Sequence, residues 1–324
     1  MVDFTLLGTG ATMPVPERGV TAAVLRCAGR GILFDCGEGT QTALRRFGVS
    51  PMRIDLIALT HYHGDHIFGL PGLLQTMSCQ DRSEPLYLAG PEGLEEAAAP
   101  LLQLADICDY PIRLLTLPKD GLPLSQLNAA WPAGARCAAV PTVHRVPSQG
   151  YLFTLDRPPR FLPERARELD IPVQLWKQIA AAPLEPVLWE GTPLIRRGAP
   201  VFGRDVLGPA RKGLRVIFSG DTSPCPALEE AARGADLLVH DATYGEDGQA
   251  DEALLSGHST FRQAAEIAAQ AGAKRLWLTH FSQRMIRPED ALPFAKAVFP
   301  AAVCGTDGLS AALAFEGSSE KTRV

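Results

Sequence analysis

Short apolar runs punctuated by turn residues set the rhythm of this chain. FTLLG (4–8), AAVLRC (22–27), GILFDCG (31–37), IDLIALT (54–60), PLYLAG (85–90), RCAAVPT (136–142), GYLFTL (150–155), LRVIFSG (214–220), DLLVHDA (236–242), RLWLTH (275–280) and SAALAF (310–315) are each strand-like in length. Gly, Pro or polar residues bound them, as expected of strands. Between them, helical stretches are expected at 38–47, 69–79, 91–104, 226–233, 260–271 and 288–298. The helix over 260–271 has the best-marked ends, because Thr260 and Gln263 make a capping box and Gly272 stands where a C-terminal cap is wanted. Strands dominate with helices interspersed, which predicts a layered α/β sandwich rather than a TIM barrel. No internal repeat or low-complexity tract interrupts the pattern.

Composition adds bounds. A chain of 324 residues that is 46% hydrophobic and 21% charged can bury a full core as one large domain or two small ones. The N-terminal MVDFTLLGTGATMP has no basic segment followed by an apolar stretch and a cleavage site, and no apolar run approaches the ~20 residues that span a bilayer. A cytoplasmic protein without membrane contact is the expectation. The seven cysteines (27, 36, 79, 108, 137, 225, 304) are odd in number, scattered and free of C-x-x-C pairs, so they read as reduced, mostly buried small residues.

The net charge of −5 hides a local excess. From Asp156 to Arg215 there are eleven Lys/Arg against seven Asp/Glu, a balance of +4 that leaves −9 for the rest of the chain. The same stretch holds nine of the 27 prolines and no histidine. A Pro-rich, basic, ligand-free segment between two ligand-bearing regions reads as an inserted arm, with a solvated connection of incidental charge as the plainer alternative.

The chemistry concentrates in THYHGDHIFG (60–69), where His61, His63, Asp65 and His66 fall within six residues. Such spacing does not fit one helix face, whose neighbours are three or four apart, but a turn after a strand can aim the side chains inward from several directions. Nothing in core packing calls for three imidazoles there. Two adjacent metal ions with two ligands each would account for them, and a catalytic zinc takes about three protein ligands and keeps a position for water. The remaining ligands have to come from elsewhere, and His144, Asp221 and His280 are available. Each follows a predicted strand, at the edge where α/β sheets collect their binding loops. Asp221 can bridge both ions. His240 also follows a strand-like run, but it and His258 find no slot in a site with five histidines and two aspartates already assigned.

THYHGDH is the H-x-H-x-D-H motif of the metallo-β-lactamase fold, and its surroundings resemble ribonuclease Z, the tRNA 3′-processing endonuclease. The similarity runs through LLGTGATMP (6–14), LFDCGEGTQ (33–41), HGDHIFGLPGLL (63–74), GPEG (90–93), HRVPSQGY (144–151), FSGDTSPC (218–225), LLVHDATY (237–244), GHST (257–260) and LTHFSQR (278–284). It covers nearly the whole chain except the 156–210 segment and the tail.

The resemblance implies a metallo-β-lactamase-type αββα sandwich, one domain over 1–324 with an inserted substrate-binding arm over 156–213. It implies one metal held by His61, His63, His144 and Asp221, and another by Asp65, His66, Asp221 and His280. The ions would be two zincs per chain, with manganese as the alternative. Asp65 also handles the attacking water, and Asp241 with His258 protonates the leaving ribose 3′-oxygen. His240 then orients its neighbours. The activity implied is removal of the 3′ trailer from precursor tRNA, leaving a 3′-hydroxyl on the tRNA, by a homodimer in which one subunit's arm serves the other.

Two departures stand out. The family pattern has Glu where this chain reads HDAT, so Asp241 is one methylene shorter in its reach to His258. The arm keeps DRP but lacks the usual Gly-Pro and lysine-rich core, and Arg157, Arg160, Arg165 and Arg167 become the expected phosphate partners, with Trp176 reading as a packing residue. A hydrolase of small phosphodiesters or other esters is the alternative activity, and a metal-containing scaffold without activity the non-enzymatic one.

Overall fold

The computed structural model describes residues 1–105, 109–181, 185–196 and 198–317, so Cys108 and Arg197 lie outside the described residues. In chain order the strands begin with β1 (Val2–Gly8), β2 (Ala22–Cys27), β3 (Arg30–Phe34), β4 (Ile54–Ala58), β5 (Leu86–Ala89) and β6 (Ile112–Leu115). There follow β7 (Leu122–Pro123), β8 (Ala135–Pro141) and β9 (Gln149–Arg157). Two short hairpins come next, β10 (Leu188–Trp189) with β11 (Thr192–Pro193) and β12 (Ile195–Arg196) with β13 (Ala199–Pro200). The chain closes with β14 (Arg211–Phe218), β15 (Leu237–Asp241), β16 (Leu276–Thr279), β17 (Ala302–Cys304) and β18 (Ser310–Leu313).

Chain contacts divide the protein into two compact units, one of residues 1–155 and 214–324 and one of residues 156–213. The first is built on two seven-stranded sheets, ordered β18-β1-β2-β3-β4-β5-β6 and β17-β16-β15-β14-β9-β8-β7. Strands β3 to β6 run parallel, as do β14 to β17, while β1, β2 and β18 complete the first sheet antiparallel.

Both faces of each sheet are covered, which is why the strands read as near-continuous apolar runs rather than alternating ones. Facing residues of the two sheets, among them Phe4, Phe34, Tyr151, Phe153, Phe218 and Trp277, form the inner layer. Phe34 reaches across to Phe218, with ring centroids 5.3 Å apart. The outer face of the first sheet packs on helices Thr40–Arg46, Leu70–Cys79 and Leu94–Leu104, and that of the second on Pro226–Ala231 and Phe261–Gln270. The result is an αββα sandwich. All eleven strand-like runs lie on strands of these sheets, and each expected helical stretch contains a helix. Cys27, Cys36, Cys137, Cys225 and Cys304 are buried free thiols and Cys79 is exposed.

The 156–213 unit has a small core of its own. Ala166, Ile171, Leu175, Ile179, Val187, Leu194, Val201 and Val206 are buried together, with Phe161 and Trp176 packed against them. Two backbone hydrogen bonds close its neck, Leu162 N to Val206 O at 2.8 Å and Gly208 N to Arg160 O at 2.7 Å. Helices Pro163–Glu168 and Trp176–Ala181 and the two hairpins were not expected from the sequence, since elements this short carry too few positions to show a period.

Candidate metal centre

The loops that leave β4, β8, β14 and β16 at their carboxyl ends carry the convergent groups. His61, His63, His144 and Asp221 bring one ligand atom each within 4.8 Å of one another, and Asp65, His66 and His280 form a second such set. In the first set His61 Nε2 and His144 Nε2 lie 2.8 and 3.4 Å from His63 Nδ1. In the second, Asp65 Oδ2 lies 3.6 Å from His66 Nε2 and 3.4 Å from His280 Nε2. Asp221 stands between them, with Oδ2 3.7 Å from His61 Nε2 and Oδ1 3.4 and 3.2 Å from the Nε2 atoms of His66 and His280.

Local structure explains the convergence. His63, with extended backbone, is the N-cap of the single helical turn Gly64–Ile67, so Asp65 and His66 sit on a helix while His61 and His63 precede it. Asp221 reaches His61 because Gly220, at φ +61°, lets the end of β14 press on Thr60; a Cβ at 220 would stand 2.6 Å from the Thr60 side chain. His280 itself adopts φ +62°, a conformation that non-glycine residues rarely hold without a compensating contact.

The outward nitrogens are fixed by hydrogen bonds. His66 Nδ1 donates to Asp35 Oδ2 at 2.8 Å, and His144 Nδ1 to the Gly257 carbonyl at 2.8 Å. Thr243 Oγ1 gives its one proton to Asp241 Oδ1 at 2.7 Å and therefore accepts from His280 Nδ1 at 2.8 Å. Each of these imidazoles then turns its Nε2 lone pair inward, as ligand histidines do.

Charge gives the same answer. Burial pushes the Asp65 and Asp221 carboxyls up, but His280 and His66 more than reverse this and hold both below the usual carboxylate range. Burial pushes His61 down to about 2, with the neighbouring His66 charge adding to the effect. Burial also opposes charge on His66, yet the Asp221 and Asp35 carboxylates raise its pKa well above the ordinary imidazole value. A buried, ionised cluster of this kind favours a positive charge beside it. Asp221 Oδ1, buried, has no hydrogen-bond partner among the described residues. Inward-facing imidazole nitrogens around ionised, buried carboxylates fit a nitrogen- and oxygen-bound divalent cation.

Beside this cluster, His258 Nδ1 lies 2.8 Å from Asp241 Oδ2. Asp241 is fully buried and also accepts from Thr222 N at 3.0 Å and Thr243 N at 2.8 Å. Burial lowers the His258 pKa, but the Asp241 carboxylate, aided by Asp221, lifts it to about 9. Since Nδ1 faces Asp241, Nε2 is left for the adjoining cavity. That cavity, of about 650 Å³, is lined by His63, Asp65, Asp221, His258 and His280 among others.

Comparisons with known proteins agree with this geometry. A family profile described as the metallo-beta-lactamase superfamily matches residues 15–280. The ribonuclease Z of Lachnoclostridium phytofermentans is 38% identical over 321 residues, covering 98% of this chain and 99% of that protein. The chain belongs to the ribonuclease Z family. The ribonuclease Z of Methanothermobacter thermautotrophicus is also 38% identical, over 301 residues and 93% of each chain. The solved structure of human tRNase Z, short form, superposes with a TM-score of 0.64 at 30% identity, covering 97% of this chain and all of that one.

Within this ribonuclease Z fold, every residue expected from the sequence as a ligand lies in one of the two converging sets, and Asp241 reaches His258 despite its shorter side chain. His240 lies inside β15 rather than beyond its end; it is fully buried and its Nδ1 donates to the Asp241 carbonyl at 2.8 Å. Sequence reasoning missed Asp35, Thr60 and Thr243, which hold the inward-facing side chains from behind. Asp35 accepts from Thr60 N at 2.7 Å and Thr60 Oγ1 at 2.9 Å as well as from His66. Both Asp35 and Thr243 lie in quoted motifs, LFDCGEGTQ and LLVHDATY, and that was their only signal.

The four arm arginines belong to the other compact unit. Arg160, Arg165 and Arg167 are exposed and Arg157 is half-buried. Trp176 is half-buried, its Nε1 donating to the Ile171 carbonyl at 3.1 Å and its ring 5.2 Å from that of Phe161, so it belongs to the arm's core.

Proposed function

We propose that this chain is a metal-dependent endoribonuclease that removes the 3′ trailer from precursor tRNA and leaves a 3′-hydroxyl on the tRNA. The observation that carries the proposal is the convergence of the seven inward-facing His and Asp side chains beside His258, which lines the adjoining cavity and is paired with the buried Asp241. His61, His63, His144 and Asp221 would hold one ion, and Asp65, His66, Asp221 and His280 the other. Two zinc ions bound there would supply positive charge to the phosphoryl oxygens and acidify a water, with manganese able to do the same.

The chain's own groups do the rest. Asp65, whose Oδ2 is pinned by the Thr12 amide at 2.7 Å, orients the attacking water in line with the ribose 3′-oxygen. His258 gives its proton to that oxygen as it leaves, and Asp241 keeps His258 charged at neutral pH so that the proton is there to give. Arg157, Arg160, Arg165 and Arg167 supply the phosphate contacts that a folded tRNA needs away from the centre. The protein works as a homodimer in the cytoplasm, each arm serving the partner's centre. Among the described residues no helix is long and apolar enough to cross a membrane.

The test is cleavage of a precursor tRNA beside bis(p-nitrophenyl) phosphate, with end analysis of the products and elemental analysis of the protein. The expected result is a mature 3′-hydroxyl end and about two zincs per chain. Hydrolysis of the small diester alone would favour a small-substrate hydrolase instead.

A further inference from the structure

Among the described residues of its unit, Phe68 is the one exposed Phe, Tyr or Trp ring. The side chain is 66% exposed, although Ile67 before it and Leu70 after it are buried in the core. It lines the same 650 Å³ cavity as His63, Asp65 and His258. Its backbone is held firmly, with Phe68 N donating to Gly64 O at 2.9 Å and Gly69 N to Cys36 O at 2.8 Å. The ring rests on Gly64: a Cβ at 64 would stand 2.3 Å from Phe68 Cε2. Gly64 lies between His63 and Asp65, so the ring is mounted on the backbone that presents two of the inward-facing side chains.

An aromatic ring left open in this way gains nothing from core packing, since its apolar area stays in water. Unstacked nucleotide bases, by contrast, use such rings as platforms, whatever their sequence. We propose that Phe68 stacks the base of a nucleotide flanking the scissile phosphate and so sets which phosphate enters the centre. This rests on the reading of the centre as an RNA phosphodiesterase. The inward-facing cluster recognises a phosphate but cannot tell one phosphate of a strand from the next. A base seated on a ring carried by the His63–His66 turn fixes the register by one nucleotide.

Three precursor tRNAs test the proposal: an intact one, one abasic at the last nucleotide before the cut, and one abasic at the first nucleotide after it. Phe68→Ala should lower kcat/KM on the intact substrate by roughly 5- to 150-fold, the worth of one stacked base. On one of the two abasic substrates the same substitution should cost nothing further, because ring and base act as a pair. Phe68→Tyr should restore the wild-type value on the intact substrate. Equal losses on all three substrates, no loss on any, or a loss that follows a changed subunit count would overturn the proposal. A wild-type protein that cuts no precursor tRNA would overturn the underlying reading, and this inference with it.

Discussion

In the unit of residues 1–155 and 214–324, three apolar layers clamp two seven-stranded sheets, and the convergent side chains hang from strand ends that those layers hold still. In the unit of residues 156–213, one cluster around Ile171 and Val206 is the core among the described residues. The two units are built to different tolerances. Metal ligation and in-line attack tolerate misplacements of well under an ångström, because coordination and orbital overlap fall off steeply with distance. Attraction between arginines and a phosphate backbone decays over roughly 8–10 Å at ordinary salt, so a small core and long side chains suffice to present it. On the proposed function, rigid burial serves the chemistry and loosely specified charge serves the grip.

The sharpest way to break this contrast is at the centre. Asp65→Ala should reduce hydrolysis of every substrate to background while the circular dichroism spectrum and melting stay near wild type, because it removes both an inward-facing carboxylate and the group that handles water. Retained turnover would show that Asp65 does neither.

Next in size comes His258→Ala, which should slow turnover by roughly 10²- to 10⁴-fold with metal content unchanged, as for loss of a general acid. Its pH dependence follows from the charge arrangement. Burial lowers the His258 pKa and Asp241 more than reverses this, to about 9, so the acid keeps its proton up to that pH and kcat falls as pH rises through it. Asp241→Asn should move that fall to lower pH. Loss of metal from the His258 variant would reassign it from proton transfer to ligation.

The two units also differ in how far they could be read from sequence. Strand ends followed by His or Asp were visible because each strand is a run of four to eight residues with an apolar stretch, as in β4, β14 and β16, and the candidate ligands are single-letter signals placed at their ends. The same reading passed over β6, whose half-exposed residues at a sheet edge break the apolar run, and β17, which is three residues long. Helix Ala250–Ser256 was also missed; only Ala253 of it is buried, so no apolar stripe marks it. Asp35 could not be assigned a role because its partners are 25 and 31 residues away, a proximity that only the folded sheet creates. In the arm, charge was legible and architecture was not, since two-residue strands and six-residue helices show no period.

A smaller effect separates the two cores. Ile171→Ala should cost the arm roughly 2–5 kcal/mol, typical of a buried large-to-small change. In so small a cluster that should open the arm and lower the efficiency of precursor-tRNA cleavage, while the main melting transition does not move. A coincident fall in that transition, followed by differential scanning calorimetry, would mean that the two units unfold as one.

The division of labour between centre and arm is tested most directly by one ratio, kcat/KM for precursor tRNA over kcat/KM for bis(p-nitrophenyl) phosphate, measured across a salt series. With Arg157, Arg160, Arg165 and Arg167 replaced by alanine, the ratio should fall, and the logarithmic salt dependence of tRNA binding should flatten by roughly 0.7–0.9 per lost phosphate contact. An unchanged ratio and an unchanged salt slope at physiological ionic strength would contradict the account, because the arm would then contribute nothing to holding the RNA.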